Sequence, residues 1–191
     1  MRDLEIRRQL RHYLERAFGH DPSALILDEL GICCGRVRAD MAVVNGELKG
    51  FEIKSDQDTL LRLRSQTLLY NRVFDTVSII VANKHLDEVR KMVPRWWGVV
   101  IAEENGAAAR PRFSVCRREG RNPNPDPISI AQLIWRDEAL EVLKVNRLAS
   151  GLYGKPRKFL WEALVRNFPL TDLRALVRRQ LKARGDWRSA V

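Results

Sequence analysis

The spacing of apolar residues predicts two helices at the start of the chain. Residues 2–18 carry apolar side chains every three or four positions, which is typical of an amphipathic helix. Asp21-Pro22-Ser23 resembles a helix start, and the segment behind it keeps apolar residues as far as Leu30 and ends at Gly31. We therefore expect a second helix before the first strand.

The pattern then changes to the alternation of a β-hairpin. Residues 37–44 and 47–54 alternate apolar and polar side chains on either side of Asn45-Gly46. The first strand carries odd-numbered apolar residues at Val37, Ala39, Met41 and Val43, and the second carries them at Phe51 and Ile53. One common buried face therefore requires a three-residue loop, with Gly46 at positive φ. In this register Asp40 lies opposite Glu52, and Lys54 points to the same side.

The remaining segments predict a mixed α/β unit followed by helices. Helices are expected over 59–74 and 86–92, and strands over 76–82, 97–102 and 113–117. The segment 120–127 holds three prolines and reads as a linker, with helices beyond it over 128–146, 156–168 and 171–184. We predict an α/β fold: residues 1–119 with a mixed sheet of four or five strands flanked by helices, the linker 120–127, and an all-helical basic region over 128–191.

The basic charge is concentrated in the last third of the chain. The net charge is +10, and residues 121–191 contribute 14 basic and 7 acidic side chains to it. This excess favours a polyanion such as nucleic acid, and a solvated basic surface is the alternative. The helical region is therefore either a DNA-docking subdomain or a layer packed on the core. The candidate contacts to nucleic acid there are Lys155, Arg157, Lys158, Arg178, Arg179 and Lys182.

Several functional classes find no support in the sequence. No apolar stretch is long enough for a membrane span, and the N-terminus lacks the apolar segment of a signal peptide. The three cysteines form no CxxC pair, so we expect reduced thiols and a cytoplasmic protein. The three histidines show no metalloprotease spacing, and no phosphate-binding GxxxxGK[ST] loop is present.

Two facing carboxylates on the hairpin suggest a metal site. Asp40 and Glu52 would repel across the strand pair, and a divalent cation is the natural compensation. Mg²⁺ or Mn²⁺ there could activate water for attack on a phosphate, while Lys54 offsets the developing charge. Without metal, neutralising either acid should be neutral or mildly stabilising.

The pattern Asp40…Glu52-Ile53-Lys54 resembles the D…(D/E)-x-K core of the PD-(D/E)XK nuclease superfamily, although Ala39 replaces the proline. This resemblance, over about residues 24–102, implies a restriction-endonuclease-like fold with another acid on a preceding helix. Glu29 takes that place, with Asp28 as the substitute. Gln66 and Tyr70 are similar to the Q-x-x-x-Y motif of the RecB-like exonuclease branch.

The resemblance implies a metal-dependent DNA nuclease. Asp40, Glu52 and Glu29 would bind Mg²⁺ or Mn²⁺, Lys54 would assist the nucleophile, and Gln66 would position the site. Tyr70, Arg36 and Arg38 are further candidates for contacts with DNA. Two alternatives stay open: an inactive nuclease-fold DNA-binding module in a repair, phage or defence complex, and an RNA-directed nuclease. A protein partner or a homodimer is also left open.

Overall fold

The computed structural model describes residues 2–104 and 111–184, and within them six strands form one mixed sheet in chain order. The strands are β1 (Leu25–Ile32), β2 (Val37–Val44), β3 (Leu48–Lys54), β4 (Thr76–Ala82), β5 (Gly98–Glu103) and β6 (Arg112–Arg117). The pairs β3–β4 and β4–β5 are parallel, and the other neighbours are antiparallel. The prediction of an α/β fold with a mixed sheet is confirmed, with six strands instead of four or five.

Helices cover both faces of this sheet. They are α1 (Asp3–Phe18), α2 (Leu63–Val73), α3 (Leu86–Met92), α4 (Pro127–Ala131), α5 (Arg136–Val145), α6 (Arg157–Asn167) and α7 (Leu170–Ala183). The apolar side of α1 packs on one face, against Met41, Val43 and Ile53. The buried residues of the other helices join the core on the opposite face. No described helix is long and apolar enough to cross a membrane.

The predicted second helix is wrong, because residues 25–32 form the edge strand β1. Pro22 and Ser23 lie in a turn that Asp21 closes through its bond to the Ser23 amide. Glu29 adopts φ 54°, which interrupts the strand's alternation and places Leu27 and Leu30 in the same core. Asp21-Pro22-Ser23 and Gly31, which indicated the two ends of a helix, instead lie just before β1 and within it.

The predicted hairpin register is confirmed. Val44 pairs with Leu48 across the three-residue loop, and Met41 pairs with Phe51. Continued by one step, this register sets Asp40 opposite Glu52. Two details differ from the prediction: Gly46 is not at positive φ, and Ala39 packs in the opposite core from Met41. The alternation of β2 therefore breaks at Asp40, and odd residues share one face only beyond it.

Most other boundaries agree with the sequence. The strand 76–82 and the helix 86–92 are confirmed, and β5 and β6 differ from their predictions by one residue at one end or both. Helix α2 begins at Leu63, four residues late, because Asp58 bonds back to Ser55 and holds a turn there. The predicted helix 128–146 is divided into α4 and α5 by an extended Trp135.

The C-terminal helices pack on the sheet and share its core. Buried apolar residues of α4 to α7 belong to the same cluster as those of β1 to β5. Asp75, which is 5% exposed, bonds to the Leu48 amide, and Arg174 Nε of α7 lies 3.0 Å from its carboxylate. Asn122 fastens the predicted linker by donating to the Phe74 carbonyl. The C-terminal helices therefore form a layer packed on the core, which was one of the two alternatives that the sequence left open. Residues 185–191 lie outside the described residues.

Candidate functional site

A buried polar network surrounds Glu52 in the middle of the sheet. Strand β3 lies between β2 and β4, and it carries Glu52 at 1% exposure and Lys54 at 7%. Lys54 Nζ donates to Glu52 Oε1 at 2.6 Å, and Gln66 Nε2 of α2 donates to the same oxygen at 2.6 Å. Tyr70, one helical turn further, donates its hydroxyl to Glu52 Oε2. The network fixes both the position and the rotamer of the acid.

Asp40 stands beside this network and is held from the other side of the sheet. Its Oδ2 accepts the backbone N–H of Ile53 at 2.7 Å, where β2 leaves its ladder with β3. Arg7 of α1 donates to Asp40 Oδ1 at 2.7 Å and to its backbone oxygen at 2.8 Å. The guanidinium therefore compensates the charge of Asp40 as Lys54 compensates that of Glu52.

The two acids line one open, polar cavity of about 410 Å³. Glu52 and Lys54 lie at its inner end, where their side chains are almost fully buried. The exposed side chains of Arg36 and Arg38 also line it. The other side chains that line this cavity include Asp3, Glu29, Asp58, Arg62, Ser65 and Gln66. A phosphate-sized anion can therefore approach buried carboxylates past arginines.

Burial and mutual repulsion set the titration of the two acids. Burial raises the pKa of Asp40, and the bonds from Ile53 and Arg7 oppose this rise. Burial and the charge of Asp40 raise the pKa of Glu52, against the effect of Lys54 and Tyr70. Burial and the neighbouring Glu52 hold the pKa of the Tyr70 phenol well above its usual value, so it stays a donor. Additional positive charge would stabilise both carboxylates.

Glu29 does not take the predicted place of a helical acid. It lies on strand β1 instead of a helix, its side chain is 55% exposed, and its carboxylate accepts Arg38 Nη1 at 3.2 Å. The substitute, Asp28, pairs with Arg11 of α1 at 2.5 Å. Within the described residues, no three His, Cys, Asp or Glu side chains form a group able to hold a metal. The predicted set of three metal ligands is therefore not assembled.

The structure separates the predicted nucleic-acid contacts. Tyr70 is fully buried, so its ring is inaccessible to DNA, and it serves Glu52 instead. Arg178 is also withdrawn from solvent, because it is 19% exposed and lies 3.6 Å from Asp75. Lys182 is half-buried and bonds to Ser23. The exposed candidates are Arg36, Arg38, Lys155, Arg157, Lys158 and Arg179.

Sequence reasoning missed Arg7 and Asp3, which α1 brings to the cavity. Arg7 lies between Asp40 and Asp3: its Nη2 is 2.7 Å from Asp40 Oδ1, and its Nε is 3.5 Å from Asp3 Oδ1. Both residues lie one turn apart on α1, beside Ile6, which anchors the apolar face. An arginine and an acid at this spacing are common on solvated helices. Arg7 and Asp3 can be recognised as site residues only once the fold places α1 beside Asp40 of β2.

Comparison with known proteins identifies the family. A model of the family described as bacteriophage P4 protein cII matches residues 2–190. The chain belongs to this family. Protein cII of Enterobacteria phage P4 is 36% identical over 110 residues, which are 58% of this chain and 41% of that protein. The match thus spans less than half the length of this curated relative.

A more distant similarity to a solved structure adds little. A protein of unknown function from Silicibacter pomeroyi aligns with 80% of this chain and 92% of its own, at 18% identity and a TM-score of 0.42. That score is too low to establish a shared fold. The cII family membership and this neighbour name no activity, so the chemistry of the site must be argued from its residues.

In this cII-family chain, the donor set around Asp40 fits a hard divalent cation. Each oxygen of Asp40, and Glu52 Oε2, accepts one hydrogen bond from the described residues. A carboxylate oxygen has two acceptor positions, so one remains on each of these atoms. Mg²⁺ takes one or two protein carboxylates and keeps several waters. Asp40 and Glu52 together satisfy that requirement without Glu29.

Proposed function

We propose that this chain is a divalent-metal-dependent nuclease that hydrolyses phosphodiester bonds in DNA. The observation that carries the proposal is the buried Glu52–Lys54 pair, which shares one polar, arginine-lined cavity with Asp40. A buried lysine and two acids that line a cavity open to an anion suit phosphoryl chemistry. The resemblance to the PD-(D/E)XK superfamily supports the same residues, and a cytoplasmic location is part of the proposal.

Asp40 and Glu52 would hold the cation through their remaining acceptor positions. When bound, Mg²⁺ or Mn²⁺ supplies polarisation of a phosphate oxygen and a lowered pKa of water. Lys54 lies 2.6 Å from Glu52 and would donate to the oxygen on which negative charge develops. Gln66 and Tyr70 act through Glu52, because their hydrogen bonds keep its carboxylate in one orientation. They are positioning residues in this scheme.

The exposed arginines of the cavity would guide the substrate. Arg36 is the last residue of the β1–β2 turn, and Arg38 lies on β2 two residues before Asp40. Guanidinium groups bind phosphate oxygens in bidentate geometry, which would fix the sugar–phosphate backbone of the DNA relative to Asp40 and Glu52. Arg38 pairs with the exposed Glu29 in this structure, and it would exchange that weak partner for a phosphate.

The test is cleavage of linear, circular and single-stranded DNA by the purified chain with Mg²⁺ or Mn²⁺. Asp40→Asn and Glu52→Gln should each lower the rate by orders of magnitude, because the cation loses a charged ligand. Lys54→Ala should lower the rate and leave metal binding intact. Glu47→Gln and Lys49→Ala are matched controls, since this ion pair lies on the same hairpin at the end remote from Asp40.

One observation favours a second candidate, an inactive nucleic-acid-binding module. Arg7 and Lys54 already balance the charges of Asp40 and Glu52, so the site is neutral without a metal. This second candidate would take the place of the nuclease proposal under two conditions. The chain would bind nucleic acid without a divalent cation, and it would cleave DNA no faster than the Asp40→Asn variant. Cleavage of RNA in preference to matched DNA would retain the chemistry and change the substrate.

A further inference from the structure

Three large aromatic rings are exposed on the C-terminal helices. Trp135 precedes α5, Tyr153 lies in the turn between α5 and α6, and Phe159 lies in the first turn of α6. Their exposed fractions are 50%, 59% and 45%. Aromatic side chains of this size usually lie in cores or interfaces. Together they suggest a surface shaped for a partner rather than for solvent.

Two hydrogen bonds connect the segments that carry these rings. Arg136 Nη2, next to Trp135, donates to the backbone oxygen of Tyr153 at 2.5 Å. Trp161 of α6, two residues beyond Phe159, donates its Nε1 to the backbone oxygen of the residue before Trp135, at 3.1 Å. The start of α5, the turn and the start of α6 are therefore adjacent in the fold. We call these three rings and their neighbouring cations the aromatic surface.

A cation accompanies each ring of the aromatic surface. The distances to the ring centroids are 4.1 Å for Arg184 at Trp135, 5.8 Å for Lys144 at Tyr153 and 5.8 Å for Lys155 at Phe159. Lys155 and Arg157 are exposed, and the side chain of each lies over an aromatic ring: Phe159 at 5.8 Å for Lys155 and Trp161 at 5.2 Å for Arg157. Their charges are therefore available to an anionic partner beside the exposed rings.

The Trp135 end of the surface is preorganised. Arg184 is 5% exposed, and it donates to both carboxylate oxygens of Glu138 at 2.6 Å. Glu138 in turn accepts the backbone N–H of Trp135 at 2.6 Å. The guanidinium is thus fixed against the indole, and the ring presents its exposed half in a defined orientation. A partner that stacks there encounters a rigid platform, which lowers the entropy lost on binding.

We infer that the aromatic surface binds single-stranded nucleic acid, with bases stacked on the rings and phosphates beside Lys155 and Arg157. Flat apolar rings interleaved with cations match a partner that alternates aromatic bases with anions. In a duplex the base faces are stacked on one another, so only a single strand offers both groups. None of these residues lines the cavity of Asp40, and the inference stands independently of the proposed nuclease activity.

The experiment is fluorescence anisotropy of the full chain with labelled oligo-dT, matching oligo-rU and a duplex, in EDTA to prevent cleavage. Tyr153→Ala/Phe159→Ala should weaken single-strand binding by at least about tenfold without changing its salt dependence. Lys155→Gln/Arg157→Gln should reduce the slope of log K against log salt by about 1.4, or ~0.7 for each cation lost. Tyr13→Ala is the matched control, because Tyr13 is 55% exposed on α1 and lies outside this surface.

The outcomes separate clearly. Tight binding of either single strand that depends on Tyr153 and Phe159 supports the inference, and the stronger of the two identifies DNA or RNA as the source. The inference is overturned if neither single strand binds, if the double aromatic variant binds as tightly as the wild type, or if the duplex binds equally well with the same dependence. Circular dichroism of each variant confirms that the exposed substitutions leave the fold intact.

Discussion

Replacing Glu52 by glutamine tests how the buried acid is held in the metal-free protein. Repulsion from Asp40, considered alone, predicts a neutral or mildly stabilising change. The structure reverses that expectation, because three donors converge on Glu52 and one of them is the Lys54 ammonium at 2.6 Å. A glutamine would turn an NH₂ group toward one of these donors and would deprive buried Lys54 of its nearest anion.

The magnitude follows from the burial of the pair. Removing one partner of a buried ion pair costs about 3–5 kcal/mol. Relief of the repulsion between Asp40 and Glu52 returns about 1 kcal/mol at most. The net loss in the free energy of unfolding is therefore about 2–4 kcal/mol. In a chain of this size each kcal/mol changes Tm by roughly 2–4 °C, so Glu52→Gln should lower the Tm by roughly 4–16 °C.

The assay is thermal and urea unfolding of the metal-free protein. Glu47→Gln is the matched control on the same hairpin, where the ion pairs are more exposed and the loss should stay below about 1 kcal/mol. A double variant, Glu52→Gln with Lys54→Met, should regain most of the stability, because it also removes the Lys54 charge that the single variant leaves buried without an anionic partner. A Glu52→Gln protein as stable as wild type would refute this reasoning.

Three further predictions concern other contacts. Arg7→Gln should tighten Mn²⁺ binding by roughly tenfold in calorimetry, because it frees Asp40 Oδ1 and removes a cation; Arg11→Gln, one turn along the same helix, should not, and equal affinities would assign Arg7 a purely structural role. Asp75→Asn should destabilise the fold by about 3 kcal/mol in urea unfolding, since it weakens the hold on Arg174 of α7; a loss below 1 kcal/mol would contradict that account. Hydrogen bonds from Ser129 and Arg72 outweigh burial and lower the pKa of Asp126, so its contribution is present above the unfolded pKa of about 4 and is lost as the pH falls through the lower folded value. Asp126→Asn removes the charge that pairs with Arg72, so it should cost up to about 1 kcal/mol at neutral pH. The difference from wild type should disappear in unfolding series carried out well below pH 4.

The sequence was sufficient where a single local rule decided the structure. Alternation and the loop length fixed the register of β2 and β3, which runs from Met41–Phe51 to Val44–Leu48 and leads up to Asp40 and Glu52. The mostly apolar, β-branched run of residues 76–82 predicted β4 with its bounds correct. These elements depend on contacts between neighbours in sequence or on a fully buried face, which leave a visible pattern.

The sequence was insufficient where the backbone or a distant partner decided. A left-handed Glu29 within β1 mimics helical spacing, and no composition rule announces it. Arg7 lies 33 residues from Asp40, so its role appears only after α1 is docked. Likewise only the three-dimensional structure separates half-buried arginines of the C-terminal helices that pair with Asp75, such as Arg178, from exposed ones, such as Arg157.

The contact between Asp75 and α7 makes the stability of an early part of the chain depend on a part that is synthesised later. Asp75 sits beside the first residue of β3, yet the arginines that compensate its burial lie about 100 residues further along the chain. A growing chain that has already exposed β1 to β5 must keep this acid hydrated or unpaired until α7 leaves the ribosome. The strand that carries Glu52 and Lys54 therefore reaches its full stability only after α7, about 100 residues further along the chain, has been synthesised.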